Sequence, residues 1–228
     1  MKALFILLIL LLWALYTWSQ QVSEQKSSGL FPGPLSVQVL MGSQGIGADA
    51  KYGFLPSLSG RFGFGIIPVN FNSVFGFSSF STDNSMSAKF SNLHLLADYS
   101  PFSGSSFRIV GGAGYFFRGD ANVLIAPAGS YQIGNTTVTK DQLGDIDASA
   151  EWSGLAPYLG IGLFRSFPGS LFNMNLDLGT YYLSSPQTSL TGTKMLAGNN
   201  SEAPQFNQNM QGYRWMPVLQ LNFNFRIK

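Results

Sequence analysis

The chain has no cysteine, a single histidine and few charges: of its 228 residues only 11% are Asp, Glu, Lys or Arg, against roughly a quarter in an ordinary soluble domain. Each shortage excludes something. Without cysteine there are no disulfides, no thiolate metal sites, no thiol nucleophile and no lipid-anchor cysteine. With so few charges, a large water-facing surface would dissolve poorly. The net charge of +2, carried by scattered Lys and Arg, gives no basic field for nucleic acid. Long apolar runs are missing too. After the first twenty residues none approaches the ~20 residues a membrane helix needs, although the hydrophobic fraction is 45%.

What is present is two-residue alternation. Residues 1–19 are set aside as a signal peptide, with Lys2, the apolar run Ala3 to Leu15, and the small residues Thr17 and Ser19. Residues 20–34, polar with Pro32 and Pro34, are expected to form a periplasmic lead-in, and residues 35–228 the folded domain. Alternation begins with Leu35, Val37, Val39 and Met41, resumes after a glycine turn with Ile46, Ala48, Ala50 and Tyr52, and returns at Phe62, Phe64 and Ile66. Further strands are read at Leu93 to Tyr99, Phe107 to Phe117, Leu155 to Leu163 and Phe172 to Tyr182. The last has Leu219, Leu221, Phe223, Phe225 and Ile227 on one side and Gln220, Asn222, Asn224 and Arg226 on the other. Between them, 68–86, 118–152 and 184–211 are read as long loops, the second with a small hairpin near Tyr131 to Gly134.

Eight strands, an even number, with connections that alternate short and long after the first hairpin, predict an all-β fold: an antiparallel up-and-down transmembrane β-barrel. Alternation alone does not say which face points outward, because a soluble barrel has the same period. Composition does, since the polar faces are mostly Gly, Asn and Ser instead of the Lys and Glu a water-facing surface requires. The aromatics Tyr52, Tyr99, Phe107, Phe117, Phe172 and Tyr182 fall near strand ends on the apolar face, where interfacial girdles belong.

Three phrases carry a resemblance: Leu93-His94-Leu95-Leu96-Ala97-Asp98-Tyr99-Ser100-Pro101-Phe102, Ala156-Pro157-Tyr158-Leu159-Gly160-Ile161-Gly162, and Leu176-Asp177-Leu178-Gly179. With the terminal strand, they resemble the small eight-stranded outer-membrane β-barrel superfamily of Gram-negative bacteria over nearly the whole mature chain. The resemblance implies an integral protein of the outer membrane. Its partners would be outer-membrane lipids and lipopolysaccharide, together with the barrel assembly machinery, which reads the strand of Leu219, Leu221, Phe223, Phe225 and Ile227. A monomer is expected.

Inward positions carry Asp49, Lys51, Arg61, Asp98, Arg108 and Asp177, three charges of each sign, with His94 and Tyr158 beside them. Matched charge in a space too narrow for bulk water predicts a paired network that plugs the lumen. A regular hairpin through 100–106 would set Tyr99 opposite Phe107 and Asp98 opposite Arg108. The same geometry in the next hairpin, with Leu163 opposite Phe172, would set Tyr158 beside Asp177. His94 is the one candidate base for a lipid-modifying enzyme, but Ser91, the nearby hydroxyl, lies off its face by one residue. Asp141, Asp145, Asp147 and Glu151 lack the core of a calcium loop and are read as solvated. The expectation is a barrel with a structural or surface-interaction role and no catalytic, metal or cofactor residues. The alternatives are a narrow pore for small or hydrophobic solutes and an enzyme built around His94.

Overall fold

The computed structural model describes residues 33–72, 82–102 and 106–227; the segment read as a signal peptide and all but the end of the expected lead-in lie outside them. Eight strands close into a ring: β1 (Leu35–Gly42), β2 (Gly45–Leu55), β3 (Leu58–Asn72), β4 (Thr82–Tyr99), β5 (Arg108–Pro127), β8 (Ile146–Leu163), β9 (Phe172–Tyr182) and β11 (Trp215–Arg226). Every neighbouring pair is antiparallel. The ring is sealed by β1 on β11, from Ser36 opposite Arg226 to Gly42 opposite Gln220. Closure leaves no edge to aggregate, and it brings both ends of the barrel to the side of the turns at 56–57, 100–107 and 164–171. The longer connections at 128–145 and 183–214, and the ends of β3 and β4 at Asn72 and Thr82, lie opposite. By the usual asymmetry of such barrels the first side is periplasmic and the second extracellular.

Alternation turns apolar side chains outward. Val37, Val39, Phe62, Phe64, Leu95, Leu159, Leu219 and Leu221 are exposed, while Gln38, Lys51, Arg61, Asp98 and Asn222 are buried. This inversion of the soluble pattern has one solvent that suits it, hydrocarbon. No helix among the described residues is long and apolar enough to cross a membrane.

The ring is uneven in height. β1, β2, β9 and β11 have 8, 11, 11 and 12 residues, close to the roughly 9 to 11 that span a bilayer. β3, β4, β5 and β8 have 15, 18, 20 and 18. Four consecutive strands therefore stand clear of the membrane as a wall, and β10 (Gln187–Gly192) joins it by pairing with β8 above the point where β9 stops. β6 (Tyr131–Ile133) and β7 (Thr136–Val138) form a hairpin at its top, followed by the single-turn helix α1 (Lys140–Leu143). The connection 183–214 holds β10, a 3-10 segment from Lys194 to Glu202 and helix α2 (Ala203–Met210).

The wall corrects the expected loops. In the 68–86 segment, residues 67–72 pair with 85–90, and in the 118–152 segment, residues 119–125 pair with 146–152. Alternation continues there, but its phase changes. Below Ser91, Leu93, Leu95 and Ala97 of β4 face out, with Leu96 turned inward among the polar residues; above it Phe90, Ala88 and Met86 lie on the face opposite to Leu93. In β5 the faces exchange at a bulge, where Phe117 is the extra residue between Phe116 opposite Asn92 and Arg118 opposite Ser91. Polarity thus reverses level with the top of the lipid-facing band: apolar outside below, polar outside above. Removing residues 129–143 should leave the heat-dependent gel mobility of the folded barrel intact. Trp152→Ala, inside the wall, should cost about 3 to 5 kcal/mol in urea unfolding.

Candidate functional site

The lumen collects the chemistry of the chain. Its periplasmic half is an ion cluster. Asp98 on β4 meets Lys51 on β2, Arg61 on β3 (3.4 Å) and Arg108 on β5 (3.1 Å). Asp177 on β9 receives Arg61 Nη1 at 2.7 Å, Arg108 Nη2 at 2.6 Å and Asn222 Nδ2 of β11 at 2.8 Å. Asn175 accepts from Arg108 at 2.9 Å and from Asn222 at 2.7 Å. These five ions are 0–2% exposed and tie six of the eight strands together. Ser166 Oγ from the β8–β9 turn donates to Asp98 at 3.3 Å, and the Phe167 ring lies 5.3 Å from Lys51 Nζ, closing the cluster from below.

Midway up, Asp49 accepts from Gln38 Nε2 at 3.0 Å and meets His94 Nε2 at 2.8 Å, while His94 Nδ1 lies 3.0 Å from Asn92 Oδ1. Both ring nitrogens of His94 are therefore engaged by lumen oxygens, and the side chain is buried.

Two glycines make these meetings possible. Asp49 and His94 sit on β2 and β4, and Gly63 of β3 lies between them, opposite each. A Cβ there would fall 2.0 Å from Asp49 Oδ1 and 2.3 Å from the Ala48 carbonyl oxygen. Arg108 on β5 likewise reaches Asp177 on β9 over Gly162 of β8, where a Cβ would fall 2.5 Å from the guanidinium carbon.

The extracellular half is plugged by rings. Phe116 and Tyr181 are 5.2 Å apart, Tyr181 and Tyr158 4.7 Å, and Phe90 and Trp152 5.9 Å, with Leu183 and Val218 in the same cluster. Trp152 Nε1 donates to the Tyr213 carbonyl at 2.9 Å, fastening the 183–214 segment to the rim. Met210 at the end of α2 packs on the cluster.

Every inward residue named from the sequence, Asp49, Lys51, Arg61, His94, Asp98, Arg108, Tyr158 and Asp177, is buried in this lumen. Two registers differ from expectation. Tyr99 stands opposite Ile109 and Asp98 opposite Val110, so Arg108 reaches Asp98 diagonally, because the turn before β5 is longer than a regular hairpin through 100–106. Leu163 stands opposite Leu176, which pairs Tyr158 with Tyr181 and sets Gly162 opposite Asp177. Tyr158 belongs to the aromatic plug and not beside Asp177 in the ladder. The sequence reading also passed over Gln38, Asn175 and Asn222, which complete the hydrogen bonding, and Trp152, which it assigned to a loop. The buried inward positions of the β1–β11 join are Ser36, Gln38, Leu40, Val218, Gln220, Asn222 and Asn224, without a charge; Arg226, opposite Ser36 on the same face, is exposed at the end of the strand. On the outside of the same join, Leu219, Leu221, Phe223, Phe225 and Ile227 keep the alternation read from the sequence, with Leu219, Leu221 and Ile227 exposed.

No protein-family model matches the chain, and no curated protein matches it in sequence. Among solved structures it is similar to two outer-membrane β-barrel proteins of Acinetobacter baumannii, CarO2 (18% identity, TM-score 0.63, 85% of this chain and 98% of that one) and CarO (20%, 0.61, 85% and 97%). A major outer membrane protein from Thermus thermophilus also aligns, at 14% identity and a TM-score of 0.42 over 85% of this chain and 98% of that one. With a closed ring of eight strands, an apolar exterior and a polar interior, the chain has the fold of the outer-membrane β-barrel proteins.

Proposed function

We propose that the protein is a sealed outer-membrane barrel whose work is done at the cell surface. The observation that supports this reading best is the double plug. Arg61, Arg108, Lys51, Asp98 and Asp177 fill the lower lumen in direct contact, and Phe116 and Tyr181, at 1% and 0% exposure, fill the upper. An aqueous path would solvate these groups, and ions in water do not need the three partners that Asp98, Arg108 and Asp177 each have. His94 serves as a structural hydrogen-bonding group in this reading, since both its nitrogens are occupied and no serine hydroxyl is among its partners in the described residues. The free chemistry lies above the membrane, where the wall, α2 and the β6–β7 hairpin build a surface with an open cleft of about 630 Å³ between Thr136–Val138 and Lys194–Met195.

Reconstituted in a planar bilayer, the protein should show no steady conductance above the bare membrane. A stable ohmic step would mean that the lumen is a pore.

A further inference from the structure

The hairpin at the top of the wall ends on an open strand edge. In it Ile133 stands opposite Thr136, Gln132 opposite Thr137 and Tyr131 opposite Val138, and no third strand joins β6 and β7 among the described residues. The connection is the two-residue turn Gly134-Asn135, with Gly134 at φ 62°. A turn this short makes Ile133 and Thr136 a hydrogen-bonded pair. The next pair is then a non-bonded one, so the N–H and C=O of Thr137 point away from β6. The cleft of about 630 Å³ takes three consecutive residues of β7, Thr136 to Val138, and none of β6. A cleft over the face of the hairpin would take alternate residues from both strands. This one runs along the edge of β7, where the Thr137 backbone groups emerge.

Gln142 of α1 and Lys194 and Met195 of the 3-10 segment complete the lining. Lys194 is exposed and makes no ion pair among the described residues. Its place is set by the residue before it. Thr193 N–H donates to the Asp145 carbonyl at 2.9 Å, Asp145 N–H donates to Thr193 Oγ1 at 2.9 Å, and the Thr193 hydroxyl donates to the Asp145 carboxylate. This clasp engages the Asp145 carboxylate with a hydroxyl, and past it the backbone turns through the left-handed region at Lys194, at φ 52°. Gln142 Oε1 accepts from Thr139 N–H at 3.0 Å, so what its amide still offers is its N–H donors. One side of the cleft thus asks for an extended main chain, and the other for a carboxylate.

The position of the cleft says where such a ligand comes from. From Gly119, just above the reversal of polarity, to Pro127 the wall rises by roughly 25 Å along β5, and the hairpin follows beyond that. The cleft is open to the medium, and its size falls within the roughly 300 to 1,000 Å³ of ordinary ligand sites.

We infer that the cleft takes an extended acidic peptide segment of another protein at the cell surface. The segment adds to β7 as a third strand through the N–H and C=O of Thr137 and sets an Asp or Glu side chain against Lys194 and Gln142. The inference rests on the surface reading above and names a partner for it.

The test is selection from a phage-displayed library of random peptides on the folded protein in lipid nanodiscs, with the form lacking residues 129–143 as the counter-selection. Enriched peptides should alternate in polarity and carry Asp or Glu at one fixed position. A synthetic copy of an enriched peptide, followed by fluorescence anisotropy, should bind Lys194→Glu about tenfold more weakly or worse. Exchanging its acid for Lys should restore binding to that variant. N-methylation of the one peptide residue that pairs with Thr137 should weaken binding about fivefold, and Thr137→Pro should do the same from the other side. Heat-shifted gel mobility reports folding of each variant, and the methylated peptide tests the edge without altering the protein. No enrichment over the counter-selected form would overturn the inference. So would enriched peptides that Lys194→Glu holds as well as the wild type, or binding that every N-methylation leaves unchanged. Such failures in a protein that still holds the bilayer resistance would remove the peptide partner and leave the sealed lumen standing.

Discussion

Arg108→Ala is expected to lower the unfolding free energy of the barrel by roughly 3 to 5 kcal/mol, the cost of breaking a buried ion pair from one side. Arg108 donates to Asp98, Asn175 and Asp177 at 3.1, 2.9 and 2.6 Å, and its removal leaves these acceptors in a space that water does not reach. Asp98 keeps Lys51 and Arg61, but Asp177 keeps only Arg61 among its cations. Most of the loss is therefore expected to come from Asp177. The partner change Asp177→Asn should be costly alone and cheaper in the presence of Arg108→Met. Urea unfolding of the refolded protein in liposomes should give a coupling of about 1 to 3 kcal/mol between the two sites. Strictly additive losses would mean that these side chains are solvated independently, which a plugged lumen does not allow.

The second large effect is expected where a methyl group would enter the same network. Gly63→Ala places carbon against the Asp49 carboxylate and the Ala48 carbonyl oxygen. The backbone atom cannot swing aside, so the change should exceed the roughly 1 to 3 kcal/mol usual for overpacking and part Asp49 from His94. Gly162→Ala should act through the Arg108 guanidinium, which three acceptors hold in place. The control is Gly111→Ala on β5, where nothing lies within 4 Å of the added carbon. It should fall within about 0.5 kcal/mol of the wild type. Equal penalties at the three positions would indicate a general intolerance of strands to side chains and no special role for the two crossings.

These glycines show where sequence reading succeeds and where it stops. Parity assigned Asp49, Lys51, Arg61, His94, Asp98, Arg108 and Asp177 to one interior because alternation is local and every strand states its own phase. Partners depend on register, which the turns set. The turn before β5 moved Asp98 from Arg108 to Val110, and the turn before β9 moved Tyr158 from Asp177 to Tyr181. The Asp98–Arg108 contact survived because long side chains reach diagonally. The wall was hidden for a different reason. A strand that leaves the membrane exchanges its solvents, so Phe90 and Trp152 change parity relative to Leu93 and Leu155, and a single-phase reading takes the change for an end. The bulge at Phe117 does the reverse in β5: apolar residues stay on odd positions from Ile109 to Ile125 while the faces trade places.

The join between β1 and β11, uncharged wherever it is buried, bears on the order in which the molecule can be built. Ions anchored on β2, β3, β4, β5 and β9 can find one another while the ring is still a curved, open sheet, because none of their charges resides on the two strands that complete it. When the first and last strands finally zip, only amides, a hydroxyl and aliphatic groups move past hydrocarbon into the interior. An ionised side chain at mid-membrane would add about 2.5 to 3.5 kcal/mol to that step. The barrel thus confines its costliest chemistry to the part of the sheet that need never cross an open seam.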